Sequence, residues 1–180
     1  NAFQASLIGC IENRVAAYGS SQGIGHIPED RTLLAPSVGQ LESVLGATLW
    51  AGFDSRDALV EHFLIGALVT EWGGNYFGRL NNQGVIVRGG RIDIQMSALN
   101  FPLACLVLTG TATPSQYVLQ RAKSLEAPLM VTQMNTQQAA ATAGTLIGVG
   151  KIHCMEKVER AAALVGPAFD WEQIETAVGL

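Results

Sequence analysis

From residue 85 onward, short uninterrupted apolar runs alternate with helix-forming stretches, and this alternation constrains the fold more than any other feature of the chain. The runs 85–87, 104–108 and 129–131 contain only Ala, Cys, Ile, Leu, Met and Val. A strand that does not alternate polar with apolar residues needs cover on both faces, which a parallel sheet between helix layers supplies. The intervening segments predict helices over 93–99, over a stretch opened by Thr113-Pro114, and over the Ala-rich 136–147. Thr113 suits an N-cap, with Pro114 in the first turn and Gln116 closing a capping box, and that helix is expected to bury Val118, Ala122 and Leu125. Right-handed crossovers carry the C-terminal ends of successive parallel strands to one edge. The expected class is α/β: a three-layer α/β/α sandwich with a mostly parallel sheet.

Upstream the signals are more local. Ser37-x-x-Gln40 is a capping box. Val38, Leu41 and Leu45 follow at helical spacing, and Gly46 supplies a stop. Residues 48–50 and 60–69 read as strands, the second with an irregularity at Gly66; residues 6–11 read as another. Residues 17–32 read as loop. After the repeating region, 152–154 suggests a last short strand, and 158–165 and 171–178 suggest closing helices, the second capped by Asp170. Asn1-Ala2 looks like a cloning remnant and is set aside. The expected organisation is an N-terminal segment and linker over 1–32, an α/β domain over 33–155 and C-terminal helices over 156–180.

With 180 residues, 48% of them hydrophobic and 14% charged, the chain can bury one substantial core. The net charge is −4 and Lys and Arg are scattered, so no basic stripe points to nucleic acid or to an anionic membrane. The longest apolar runs, such as 103–108, are far too short to span a bilayer. Low charge, together with an apolar-aromatic run around Trp72 and Tyr76, predicts self-association, most simply a homodimer. Cys10, Cys105 and Cys154 are widely spaced and form no CxxC pair, which suits a reducing, cytoplasmic setting.

Most motif matches fail on context. Gly19-Ser-Ser-Gln-Gly23-Ile-Gly25 matches a dinucleotide fingerprint, but no clean strand runs into it and Pro28 falls where the helix belongs. No Tyr-x-x-x-Lys accompanies it. Gly144–Lys151 resembles a phosphate-binding P-loop with its spacing off by one and Ile152 in the Ser/Thr position. His153 and Cys154 would point to opposite faces of a strand, and His26 and His62 have no spaced partner. No Ser-His-Asp or Cys-His set assembles, so no catalytic residue, metal ligand or resident cofactor is assigned.

One constellation remains. Three strand ends are expected to share an edge: Arg88-Gly89-Gly90-Arg91 with Asp93 just beyond, Thr109-Gly110, and Thr132. Open α/β sheets bind ligands outside that edge. A double glycine permits positive φ and close approach of a ligand to the backbone. The free N–H groups of the following helix favour an anion, and two arginines add positive charge. Arg88, Gly89, Gly90, Arg91, Asp93, Thr109, Gly110 and Thr132 are therefore the candidate binding residues, for a nucleotide or phosphorylated metabolite. An ordinary strand-to-helix corner, with Asp93 as N-cap, explains the same residues.

Several ordered segments resemble the DRTGG domain family. Ile27-Pro28-Glu29-Asp30-Arg31-Thr32-Leu33-Leu34-Ala35-Pro36-Ser37-Val38 is similar to its entry segment. "FLIGAL" at 63–68, "VRGGRIDIQMSAL" at 87–99, "CLVLTG" and "APLMVTQMNT" follow in the family's order. The similarity runs from about His26 to Ile152. It implies a small α/β module, similar in fold to the N-terminal domains of HPr kinase and Mur ligases, that is not an enzyme by itself. Such modules follow P-loop domains resembling dethiobiotin synthetase and cobyrinic acid a,c-diamide synthase. They also occur in phosphate acetyltransferases and between CBS domains of certain pyrophosphatases. "LIGCIENRV" at 7–15 resembles a late strand of such a P-loop domain, so residues 6–25 read as a remnant of it, which makes an upstream P-loop domain or a partner enzyme an expected neighbour. The family carries an Asp after its two glycines; here Gly90 runs directly into Arg91. What the resemblance implies is a non-catalytic regulatory or assembly module. The alternatives are an anion-sensing domain at Gly89-Gly90, and a piece of an enzyme of the cobyrinic acid synthase or phosphate acetyltransferase type.

Overall fold

The computed structural model describes residues 9–15, 24–67, 76–149, 151–169 and 171–178. The chain divides into two compact units, Leu34–Lys151 and a second built from Asn1–Leu33 with Ile152–Leu180.

The larger unit contains α2 (Val38–Val44), β3 (Thr48–Ala51), β4 (His62–Gly66), β5 (Gln83–Arg88), α3 (Ile92–Ala98), β6 (Cys105–Thr109), α4 (Gln116–Ser124), β7 (Leu129–Thr132) and α5 (Thr136–Gly144). Its five strands lie in the order β3-β7-β6-β5-β4. Neighbours from β4 to β7 are parallel, and β3 closes one side antiparallel to β7. The mostly parallel α/β architecture expected from the apolar runs is present. Val85, Val87, Leu106 and Leu108 pack on one face with Ile94 and Ala98 of α3 and Val118 and Ala122 of α4. Ile86, Cys105, Val107 and Met130 pack on the other with Val38 and Leu41 of α2 and Ala139 and Ala143 of α5. Alternate residues of one strand thus feed two cores, which is why the runs show no polar alternation. Each fully buried aliphatic side chain contributes about 1.5–3 kcal/mol. Burial also pushes the Cys105 thiol up to about 12, which leaves it protonated and unreactive.

The local signals succeed where both cap partners lie in the sequence. The Gln40 backbone N–H donates to Ser37 Oγ at 3.2 Å and the Ser37 backbone N–H to Gln40 Oε1 at 2.9 Å, and Gly46 takes φ +52° past the helix end. Elsewhere the structure corrects the reading. The cap of α4 is Ser115, not Thr113, whose carbonyl instead accepts the Thr111 hydroxyl. The Ser115 hydroxyl accepts the Val118 N–H at 3.4 Å, which starts the helix two residues later than expected. Leu125 lies past the last turn of α4 and is 44% exposed rather than buried. Helix α5 stops at Gly144, short of Ile147, and opens on a capping box of Asn135 with Gln138.

In the second unit β1 (Ile11–Val15) pairs in parallel with β2 (Gly25–Pro28), followed by α1 (Arg31–Leu34). The region expected to be loop therefore holds a strand and a helical turn. Residues 152–154 form no strand and lead directly into α6 (Met155–Val165), which is followed by α7 (Trp171–Val178). The expected strand over 6–11 falls mostly outside the described residues, as do Gly19 and Gly23 of the glycine fingerprint, Trp72 and Asp170.

Asp30 binds this unit together. Its carboxylate accepts from Arg160 Nε at 2.7 Å and from the Leu33 N–H at 3.2 Å. Desolvation works to raise its pKa, but these bonds outweigh it and hold it below the usual aspartate value. Lys157 is fully buried and donates to the Leu33 carbonyl at 3.0 Å. Burial lowers its pKa below 10.5, with Cys154 acting in the opposite sense. Between the lowered folded value and 10.5 the unfolded chain binds more protons, so this group makes stability rise with pH across that window. In urea titrations the wild-type protein should gain stability there relative to Lys157→Met. Parallel profiles would show that the amine is not held in a desolvated site.

Candidate functional site

The register of the parallel strands builds the rim. Arg88 pairs with Thr109 and Thr109 with Thr132, so three strands end level with one another. The reversals that follow are tied together. The Gly89 N–H donates to the Thr109 carbonyl at 2.8 Å, and the Gly110 N–H to the Met134 carbonyl at 2.8 Å. All three expected strand ends are brought to one edge.

The candidate residues divide by what their side chains do there. Thr109 and Thr132 are buried. The Thr132 hydroxyl donates to the Leu45 carbonyl at 2.8 Å and accepts from the Met134 N–H at 3.3 Å. The Thr109 and Thr136 hydroxyls share a 2.8 Å bond. These threonines lock the rim from beneath. Arg91 and Asp93 close on each other, with Nε to Oδ1 at 3.0 Å and Nη2 to Oδ2 at 2.7 Å. The Asp93 side chain raises the pKa of the Arg91 guanidinium, whose small desolvation acts the other way. Arg88 is exposed, and among the described residues no carboxylate pairs with it.

The glycines separate similarly. Among the described residues the positive-φ glycines are Gly46, Gly52, Gly110 and Gly148, so Gly89 and Gly90 do not use the left-handed region that the double glycine suggested. Gly89 is needed for another reason: a Cβ there would lie 2.5 Å from Thr111 Cγ2 and 2.6 Å from its Cβ. A Cβ at Gly90, or at Gly110 with φ +64°, would meet nothing within 4 Å. Packing therefore does not explain the bare backbone at Gly90. Asp93 is not the N-cap of α3; Arg91 occupies that position without a side-chain cap bond. With seven residues α3 has little macrodipole, so the free N–H argument loses most of its weight.

Sequence reading passed over Gln95. It lies beside Ile94 on the buried side of α3, and its Nε2 donates to the Arg88 carbonyl at 2.9 Å and the Gly89 carbonyl at 3.0 Å. The available signal was its place on the apolar face, three and four residues before Ala98 and Leu99. Among the described residues no group of three His, Cys, Asp or Glu side chains is arranged to hold a metal ion. No helix among them is long and apolar enough to cross a membrane.

A mostly parallel sheet with registered strand ends, its threonines tied beneath the edge and glycine backbone on it, defines an open α/β module. The chain belongs to the DRTGG domain family, whose model matches residues 40–146, more than half of its length. It is also similar in structure to the CBS and DRTGG domains of the regulatory region of Clostridium perfringens pyrophosphatase, solved in complex with the activator diadenosine tetraphosphate. The TM-score is 0.57 at 16% identity, over 75% of this chain and 64% of that one. The match thus spans less than two thirds of that regulatory region.

Proposed function

We propose that this chain is a non-catalytic regulatory module whose α/β domain, taken as residues 33–155, binds a nucleotide or another phosphorylated metabolite at the rim formed by Gly89-Gly90 and Gly110. The observation that carries this reading is the bare backbone at Gly90, beside level strand ends, where φ lies outside the left-handed region and packing leaves room for a side chain, yet none is present. Arg88 supplies positive charge at the same edge. The activator in the pyrophosphatase regulatory region, a dinucleoside polyphosphate, gives the proposal its ligand class.

Thermal unfolding with ATP, diadenosine tetraphosphate and inorganic pyrophosphate tests it. A ligand present at a hundred times its Kd should stabilise the protein by about 2.7 kcal/mol, raising Tm by roughly 5–10 °C. Arg88→Gln should reduce that rise while leaving the unliganded Tm within about 1–2 °C of wild type, as befits an exposed side chain. No response to any of the three compounds would remove the reading.

A further inference from the structure

We infer that Gln95 is the positioning residue of this rim, holding the Arg88 and Gly89 carbonyls inward so that the Gly90 corner offers an approaching phosphate N–H and Cα–H rather than carbonyl oxygen. The inference rests on the reading above, that a phosphorylated ligand meets this corner.

Gln95 is fully buried in a helix whose neighbouring inward residues are Ile94 and Ala98. A methionine would fill similar volume there with no polar atom to satisfy. Instead an amide is present, and only part of it is served. Nε2 reaches two carbonyls, while among the described residues Oε1 has no hydrogen-bond partner. An unserved buried acceptor is unfavourable, so the amide is a poor choice for packing alone. What it does is local to the corner. The Arg88 carbonyl also accepts from the Arg91 N–H at 3.0 Å, and the Gly89 N–H is anchored to Thr109. With Gln95 added, both carbonyls before Gly90 are directed into the protein. A carbonyl turned outward would set its negative end against an anion; one turned inward removes that repulsion.

The test is Gln95→Met, read by amide hydrogen exchange and by ATP binding. Exchange at Arg91, whose N–H bonds to the Arg88 carbonyl, should quicken about tenfold or more, as local opening becomes easier. Exchange at Leu106, bonded to the Pro128 carbonyl within the sheet, should not change. The ATP Kd should rise about tenfold, at a Tm close to wild type, since the loss of two bonds is offset by removal of the unserved oxygen. Should Gln95→Met not fold, Gln95→Glu replaces it. Buried against two carbonyls, that carboxyl is driven to protonate and restores one bond of the two, giving a smaller change in the same direction. ATP binding equal to wild type in the variant overturns the inference. If the wild-type protein binds none of ATP, diadenosine tetraphosphate and inorganic pyrophosphate, the proposed function fails on its own, and Arg91 exchange decides the positioning role: faster exchange upholds it and unchanged exchange overturns it.

Discussion

Gly52→Ala is expected to lower the stability of the larger unit by about 2–5 kcal/mol, measured by urea denaturation. Two penalties combine. Gly52 has φ +70°, and an L-residue in the left-handed region pays about 1–2 kcal/mol. A Cβ there would also lie 2.5 Å from Pro128 N and 2.6 Å from Pro128 Cα. Those atoms are backbone at the entrance to β7, where Ala51 pairs with Leu129, so they yield only if the edge of the sheet shifts. Overpacking of this kind adds about 1–3 kcal/mol. Gly46→Ala is the matched control: φ is +52°, but nothing lies within 4 Å, so only the conformational penalty applies. If the two substitutions cost the same, the close approach of Gly52 to Pro128 is wrong.

At the rim, Gly89→Ala and Gly90→Ala are expected to part company although the residues are adjacent. Gly89→Ala drives a methyl into Thr111 and should destabilise by about 1–3 kcal/mol, displacing the reversals on both sides. Gly90→Ala enters open space and should leave stability within about 0.5 kcal/mol of wild type. Under the proposed function its methyl covers the backbone that a ligand approaches, and ATP binding should weaken about tenfold or more, by the steric argument used for glycine-rich phosphate sites. Calorimetric titration beside denaturant melts reads both quantities. Unimpaired ATP binding by Gly90→Ala would place the ligand elsewhere than at this corner.

The sheet was legible because its evidence is local and repeated. Apolar runs at 85–87, 104–108 and 129–131 each became a buried strand, and the Ser37–Gln40 box formed as read. Errors arose at helix starts, which the apolar pattern does not locate to the residue. Thr113 reads as the cap of α4, but the Val118 N–H is taken by the Ser115 hydroxyl and the helix starts at Gln116. The reading of Asp93 as a cap failed because α3 starts at Ile92, which places Asp93 inside the first turn, where it pairs with Arg91. Of the candidate site, the shared edge was foreseeable from strand handedness. Which side chains remain available on it was not. Thr132 is tied to Leu45 and Thr109 to Thr136, contacts 87 and 27 residues apart in the chain.

By itself the order of residues determined the layered α/β class, the parallel strands and the common edge where they end, because hydrophobic periodicity and crossover handedness act over a few residues at a time. Only the tertiary structure decided that Gly89 is needed for its contact with Thr111 while Gly90 stands open, and that a buried glutamine grips the corner between them. Those distinctions come from atoms brought together by the folded sheet, and no local pattern encodes the distance between them.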